Sequence, residues 1–384
     1  MPVRATKRGA QRTSLTGEVD VLICGASFAG LTVARELRAS GARVLLLDRY
    51  EIGERQTSAC AAPTEWLENL GLADSIRQTF DSLVSHTPGR TVRWPLPFTF
   101  STFDYEPLCA DLWAQCGDAT FETAKVDGCT REPDAVTVHT DRGNVRAPLV
   151  VDALGWRRVL GSGENVQPPN ARLSRGLEVH PPGEGDALEL WIDRRITPIG
   201  YGWAFPAGDE VRIGIGSFDP HHHVKGETNS LSREVGIEPR GYQGNWIPHK
   251  IRPAVDDGVF FVGDSAGHCI PLSAEGIRTA FYFGIACGRE LRSVLEGRQT
   301  RTIALERYGR FSGDHAWKFD WMLRWQQGIP RLHPRLLSAL SSSVRHERIA
   351  HWAFNHYFRI ADPAFAFPAP PERTAASGRA ALAA

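Results

Sequence analysis

The chain has 384 residues, 42% hydrophobic and 23% charged, with 44 Lys and Arg against 44 Asp and Glu. That balance gives no global field for nucleic acid or an anionic membrane, and composition gives no reason to expect a charged patch. No apolar run reaches the roughly 20 residues that cross a bilayer, and seven Cys without a CxxC pair read as reduced thiols of a cytoplasmic protein rather than a disulfide framework.

Met1 to Gly17 carries Arg4, Lys7, Arg8 and Arg12 with no apolar segment behind them. It reads as a disordered tail and not as a secretory signal. From Glu18 to Leu47 the pattern is strand, turn, helix, strand. Val19, Val21, Leu22 and Ile23 make a short apolar run, and Leu31, Val33, Ala34 and Leu37 recur at helical spacing. Gly41 closes that helix, and Val44 to Leu47 form a second apolar run. Two such strands joined by one helix make a parallel, right-handed βαβ unit.

The turn of that unit is Gly25-Ala26-Ser27-Phe28-Ala29-Gly30. A pyrophosphate at a helix start needs a tight turn, close backbone approach and free N–H donors. Gly25 suits the turn, Gly30 suits close helix–strand packing, and Ser27 takes the place of the usual second glycine. Asp48 ends the second strand, where an acid accepts hydrogen bonds from ribose hydroxyls, and Arg49 follows it. The alternative is a glycine-rich turn that binds nothing.

Further along, Val92 to Tyr105 is rich in Phe, Trp and Pro and predicts strands and turns, and Leu108 to Cys116 predicts a helix. Strands are predicted at Val136–His139, Leu149–Val151, Leu188–Ile192, Val211–Ile215 and Val259–Val262. A long helix is predicted from Glu275 to Leu295, and a helical, aromatic region from Arg301 to Arg359. Phe365 to Ala384, rich in Pro and Ala, reads as a second disordered end. His221-His222-His223 cannot converge on one ion and reads as a polar loop, so no metal is expected.

The run Val259 to Gly267 contains Gly263 and Asp264 and is followed by Pro271, Glu275, Gly276 and Ile277. This resembles the second FAD fingerprint of the para-hydroxybenzoate hydroxylase superfamily. The resemblance runs over most of residues 18–300 and points to the geranylgeranyl reductase-like branch. That branch has a comparable Gly-Asp-Ala-Ala-Gly segment, and its Gly-Tyr-x-Trp-x-Phe-Pro segment is matched by Gly200 to Pro206. Val150 to Gly155 resembles the family's strand end, with Leu154 in place of a small polar residue. The branch's Lys-Pro-Cys-Gly-Gly stretch survives here only as Cys60, and Tyr105 stands where the superfamily often has an FAD-binding arginine.

The resemblance implies an α/β fold. Its parts are a Rossmann-like FAD-binding domain of the glutathione reductase type, over 18–83, 106–172 and 250–300, and an inserted α+β substrate domain, over 84–105 and 173–249. Helices over 301–364 and tails at 1–17 and 365–384 complete it. It further implies that Asp264 binds the ribityl side and that the backbone of Glu275, Gly276 and Ile277 faces the edge of the isoalloxazine, where a helix N-terminus favours the charge of reduced flavin. Tyr201 and Trp203 are expected in the substrate pocket, the alternative being a packed sheet face. Cys60 lies near substrate or flavin, or is a small core residue. His268 moves a proton or approaches the flavin, or is a satisfied buried histidine. Phe311, Trp317, Phe319, Trp321, Met322 and Trp325 wall an apolar tunnel, touch a membrane surface, or pack between helices.

The implied activity is reduction of a C=C bond in an apolar, prenyl-like or polyketide-like small molecule. NAD(P)H serves as a transient co-substrate, because there is no second dinucleotide fingerprint. A flavin monooxygenase is the first alternative. A halogenase is disfavoured because no Lys occurs between Lys7 and Lys125; a non-redox cyclase or isomerase and a non-catalytic flavin-binding protein complete the set.

Overall fold

The structure is a computed structural model describing residues 13–56, 58–162 and 173–367. The expected tail segments at 1–12 and 368–384 lie outside the described residues.

The chain opens with β1 (Gly17–Glu18), then the βαβ unit of β2 (Val21–Cys24), α1 (Phe28–Glu36) and β3 (Val44–Asp48). All four residues of β2 are buried, as an apolar run inside a parallel sheet requires. There follow β4 (Ala61–Pro63), α2 (Thr64–Asn69) and a long hairpin of β5 (Ile76–Thr87) and β6 (Arg90–Phe103). After α3 (Tyr105–Ala114) come β7 (Thr120–Thr123), β8 (Val126–Arg131), β9 (Val136–Thr140), β10 (Gly143–Ala147) and β11 (Leu149–Asp152). The next stretch holds β12 (Leu173–Val179), β13 (Leu188–Trp191), β14 (Gly200–Ala207), β15 (Glu210–Ser217), α4 (Lys225–Glu234) and β16 (Gln243–Pro248). The chain then returns through β17 (Val255–Asp256), β18 (Val259–Phe261) and α5 (Ile277–Leu295). Four helices end it: α6 (Arg301–Gly313), α7 (Ala316–Gly328), α8 (Pro334–Ser343) and α9 (Glu347–Phe358).

These strands form three sheets. A six-stranded sheet runs β17-β18-β11-β2-β3-β7 and is parallel except at β17. An eight-stranded, mostly antiparallel sheet runs β16-β12-β15-β14-β13-β5-β6-β4, and a four-stranded sheet runs β1-β10-β9-β8. From β2 the chain moves outward to β3 and β7, whereas β11 and β18 lie on its other side. The gap between the carboxyl ends of β2 and β11 is therefore a topological switch point, where open α/β sheets bind ligands.

Two expectations change. Strands and turns are expected over Val92–Tyr105 in a segment bounded at residue 84; the hairpin runs instead from Ile76 to Phe103, and β4 joins the same sheet. Along β5 a polar Gln78 and Ser82 alternate with Ile76 and Phe80, which hides the period-2 signal. At the ends, residues 13–17 are tied down: Leu15 N donates to Arg142 O at 2.8 Å and Arg142 Nε to Thr13 O at 3.2 Å. Phe365 stacks against Phe311 and Tyr282, so this part of the expected second tail is packed.

Candidate functional site

A cavity of ≈ 1820 Å³ opens at the switch point. Its walls extend from the end of β3 across the β2–β11 gap and along the eight-stranded sheet to the C-terminal helices. One drug-sized ligand needs roughly 300–1,000 Å³, so there is room for an extended cofactor and a second molecule.

At the first end, Ser27, Phe28 and Ala29 bring the opening turn of α1 to the wall. Gly25 has φ +110°, and a Cβ there would stand 2.2 Å from Ala153 O; a Cβ on Gly30 would stand 1.8 Å from Gly25 O. Neither glycine lines the cavity. They let α1 and β11 close around the turn, which a side chain would block. Ser27 does not cap its own helix; the Tyr105 hydroxyl donates to Ser27 Oγ at 3.0 Å. The N–H groups of the first turn stay available to an anion. Asp48 takes Ala26 N–H at 2.9 Å on one carboxylate oxygen and Tyr50 N–H at 3.0 Å on the other. Each oxygen keeps a lone pair for a ribose hydroxyl. Burial pushes the pKa of Asp48 up, against the pull of those bonds. Arg49 and Arg55 stand over the Tyr50 ring at 4.9 and 5.3 Å and add positive charge at this end.

The second motif meets the first through Asp152. Its buried carboxylate accepts from Leu154 N, Leu160 N and Ser265 Oγ, the last at 2.6 Å, so β11 and the Gly263–Ala266 turn are locked together. Gly263 and Asp264 line the cavity. No hydrogen bond from another described residue reaches the Asp264 carboxyl, and burial pushes its pKa up to about 6 while Arg252 pulls it down. An unpartnered acid on a cavity wall fits a ligand rich in hydroxyls.

The loop from Pro271 to Glu275 carries two non-glycine residues in the left-handed region, Leu272 at φ +71° and Ala274 at φ +53°. Each costs about 1–3 kcal/mol and persists only when held. Leu272 N donates to Gln326 Oε1 at 2.7 Å, Tyr201 O–H to Ser273 O at 2.6 Å, and Tyr357 O–H to Ser273 Oγ at 2.7 Å. Glu275 also meets Tyr357 and pairs with the fully buried Arg278 at 2.6 Å. Arg278 in turn donates to Phe358 O at 2.7 Å and Tyr357 O at 3.1 Å. So braced, Glu275, Gly276 and Ile277 present the start of α5 to the cavity. Pro271 is buried behind them and does not line it.

Tyr201 and Trp203 line the cavity from β14, their rings 5.9 Å apart. Trp203 lies against the sheet where Gly214 leaves space: a Cβ there would stand 2.2 Å from indole Cζ2. Its Nε1–H donates to Glu178 Oε2 at 3.3 Å, and Gln243 Nε2 donates to Glu178 Oε1 at 2.7 Å. Apolar residues Leu188, Leu190, Phe98 and Phe100 also stand on the wall at this end.

Two expected site residues lie elsewhere. Cys60 is fully buried, does not line the cavity, and has its thiol pushed up by burial. Arg212 donates to the carbonyls of Ala59, Cys60 and Phe103, holding this segment at the sheet edge with Cys60 at φ +51°. His268 is also fully buried and off the cavity. It stacks on Phe283 at 3.7 Å, bonds Ser312 through Nε2, and is kept neutral by burial. Cys60 holds a motif position and His268 follows one, but both face the core. Sequence reasoning missed Trp246, Asn245 and Glu178 on the wall, which carry no motif, and Arg278, whose charge gives no hint of complete burial.

The family model described as "Lycopene cyclase protein" matches residues 20–181. Digeranylgeranylglycerophospholipid reductase 3 of Methanosphaera stadtmanae is 24% identical over 344 residues, covering 78% of this chain and 84% of the relative. Geranylgeranyl diphosphate reductase of Rhodobacter capsulatus is 26% identical over 338 residues, covering 80% and 83%. The solved structure of a geranylgeranyl bacteriochlorophyll reductase-like protein from Thermoplasma acidophilum shares the fold at TM-score 0.79 and 17% identity, over 91% of this chain and 98% of that one. The chain is an oxidoreductase similar to geranylgeranyl reductases over about four-fifths of its length. In this α/β fold the segments after β2 and β18 fall on either side of the switch point.

Proposed function

We propose that the chain reduces C=C bonds in a prenyl-like or polyketide-like molecule, using FAD and taking electrons from NAD(P)H as a transient co-substrate. The observation that carries this reading is the continuity of one cavity from two nucleotide fingerprints to an apolar wall headed by Tyr201 and Trp203. The residues present fit the cofactor. The first turn of α1 would take the pyrophosphate, Asp48 the adenosine ribose, and the unpartnered Asp264 a ribityl hydroxyl. The start of α5 would take the pyrimidine edge. FAD, when bound, supplies the hydride that no side chain can deliver.

The chain's own work is orientation and water exclusion. Trp203, held by Glu178 and supported over Gly214, makes a flat wall for a hydrocarbon, and Tyr201 ties that wall to the Pro271–Glu275 loop. The relatives named as reductases of geranylgeranyl compounds support the choice of substrate class. Seven unpaired thiols suit the cytoplasm.

The test is to load the protein with FAD, reduce it anaerobically with NADPH or NADH, and incubate it with geranylgeranyl compounds. A product heavier by two hydrogens per bond supports the reading. A product heavier by one oxygen when air is admitted replaces it with the monooxygenase alternative.

A further inference from the structure

The C-terminal helices are built the wrong way round for a protein surrounded by water. In α8 the buried residues are Ser338, Ser341 and Ser342, whereas Leu336 and Leu340 are 49% and 45% exposed. The serines are consumed by the hairpin beneath: Thr87 donates to Ser338, Ser341 to Ser85, and Arg90 to Ser342. In α7, Phe319 and Leu323 face inward, yet Trp317, Trp321 and Trp325 stand outward one turn apart, Trp317 being 68% exposed. Trp352 of α9 is 67% exposed. Single exposed apolar residues need no explanation, but a run of tryptophans and leucines over three neighbouring helices does.

Charge says what covers them. Between Ala316 and Arg359 there are seven Lys or Arg and two Asp or Glu, although the whole chain is neutral. Tryptophan beside exposed Arg is the chemistry of a membrane interface, where the indole sits at headgroup level and the cation meets anionic lipid. The same tryptophans rim the cavity: Trp317, Trp321, Trp325 and Trp352 all line it. No helix among the described residues is long and apolar enough to cross a membrane, so contact would be peripheral.

We propose that α7, α8 and α9 form a docking face for an anionic phospholipid bilayer, and that the cavity opens into that bilayer. Docking goes beyond the reductase reading and stands or falls without it, because it is read from vesicle binding and needs no turnover.

The experiment uses the full FAD-loaded chain with phosphatidylcholine vesicles, with and without phosphatidylglycerol. The wild type is expected to co-sediment with the anionic vesicles about tenfold or more better than with neutral ones, and less well at high salt. Its tryptophan emission should be quenched by brominated lipid. Trp317→Ser/Trp321→Ser/Trp352→Ser and Arg324→Glu/Arg348→Glu should each lower binding about tenfold. Retained FAD absorbance and melting temperature would show that both variants fold. Equal binding of folded variants and wild type, or no binding by the wild type, overturns the proposal. So does a wild-type dimer that the tryptophan variant makes monomeric, since the face would then bind a second copy.

Discussion

Helices α1 and α8 are nearly equal in length and opposite in construction. In α1 every residue from Phe28 to Ala34 is buried, including Leu31 and Val33, each fully enclosed. In α8 serine turns inward and leucine outward. The first helix is held by the hydrophobic effect, worth about 1.5–3 kcal/mol for each large apolar side chain buried. The second is held by hydroxyl contacts worth about 0.5–1.5 kcal/mol each. Periodicity in a sequence shows that a helix has two unlike faces; it does not show which one meets the core. That depends on the solvent outside.

The contrast can be broken hardest at Gly30. A Cβ there meets the carbonyl of Gly25 rather than a flexible side chain, so Gly30→Val is expected to cost about 4 kcal/mol or more and to abolish FAD binding. Denaturant unfolding and flavin absorbance check both. Next is Arg278, which joins the start of α5 to the end of α9. Arg278→Ala leaves Glu275 buried without its cation and frees the carbonyls of Tyr357 and Phe358. The expected loss is about 3–5 kcal/mol, read as a fall in melting temperature, with FAD affinity falling alongside. A direct comparison then sharpens the argument: Leu31→Ala should cost about 2–5 kcal/mol and Leu340→Ser within about 0.5 kcal/mol in the same unfolding assay.

A pH-dependent effect belongs to Asp264. Its carboxyl titrates at about 6 in the fold, above the roughly 3.9 of an unfolded aspartate. The folded chain therefore holds the proton more tightly. That stabilisation is complete below about pH 4 and is lost as pH rises through 6. In the FAD-free protein, Asp264→Asn should remove a decline of at most about 3 kcal/mol over that interval, measured by melting temperature against pH.

Much of the nucleotide-binding half was legible in the residues. Strand, turn, helix and strand over Glu18–Leu47 follow from apolar runs, with Gly25 and Gly30 where backbones approach closely. The return of Gly263 and Asp264 to the same crevice follows from a second motif of the same kind. For Cys60 and His268 the sequence left a site role and a core role open, because a one-residue offset in a strand or tight turn reverses the direction of a side chain, and no motif records that direction. Strand β5 went unpredicted because its inward positions mix Gln78 and Ser82 with Ile76 and Phe80. The inside-out helices were illegible for the reason α8 makes plain.

The braces on the Pro271–Glu275 loop come from Gln326 and Tyr357, and Arg278 finishes its shell on the carbonyls of Tyr357 and Phe358. On the ribosome, the first fingerprint emerges more than three hundred residues before its partner loop can be fastened. A nascent chain stalled before α9 would carry the first turn of α1, but its Pro271–Glu275 loop would still lack the Tyr357 brace.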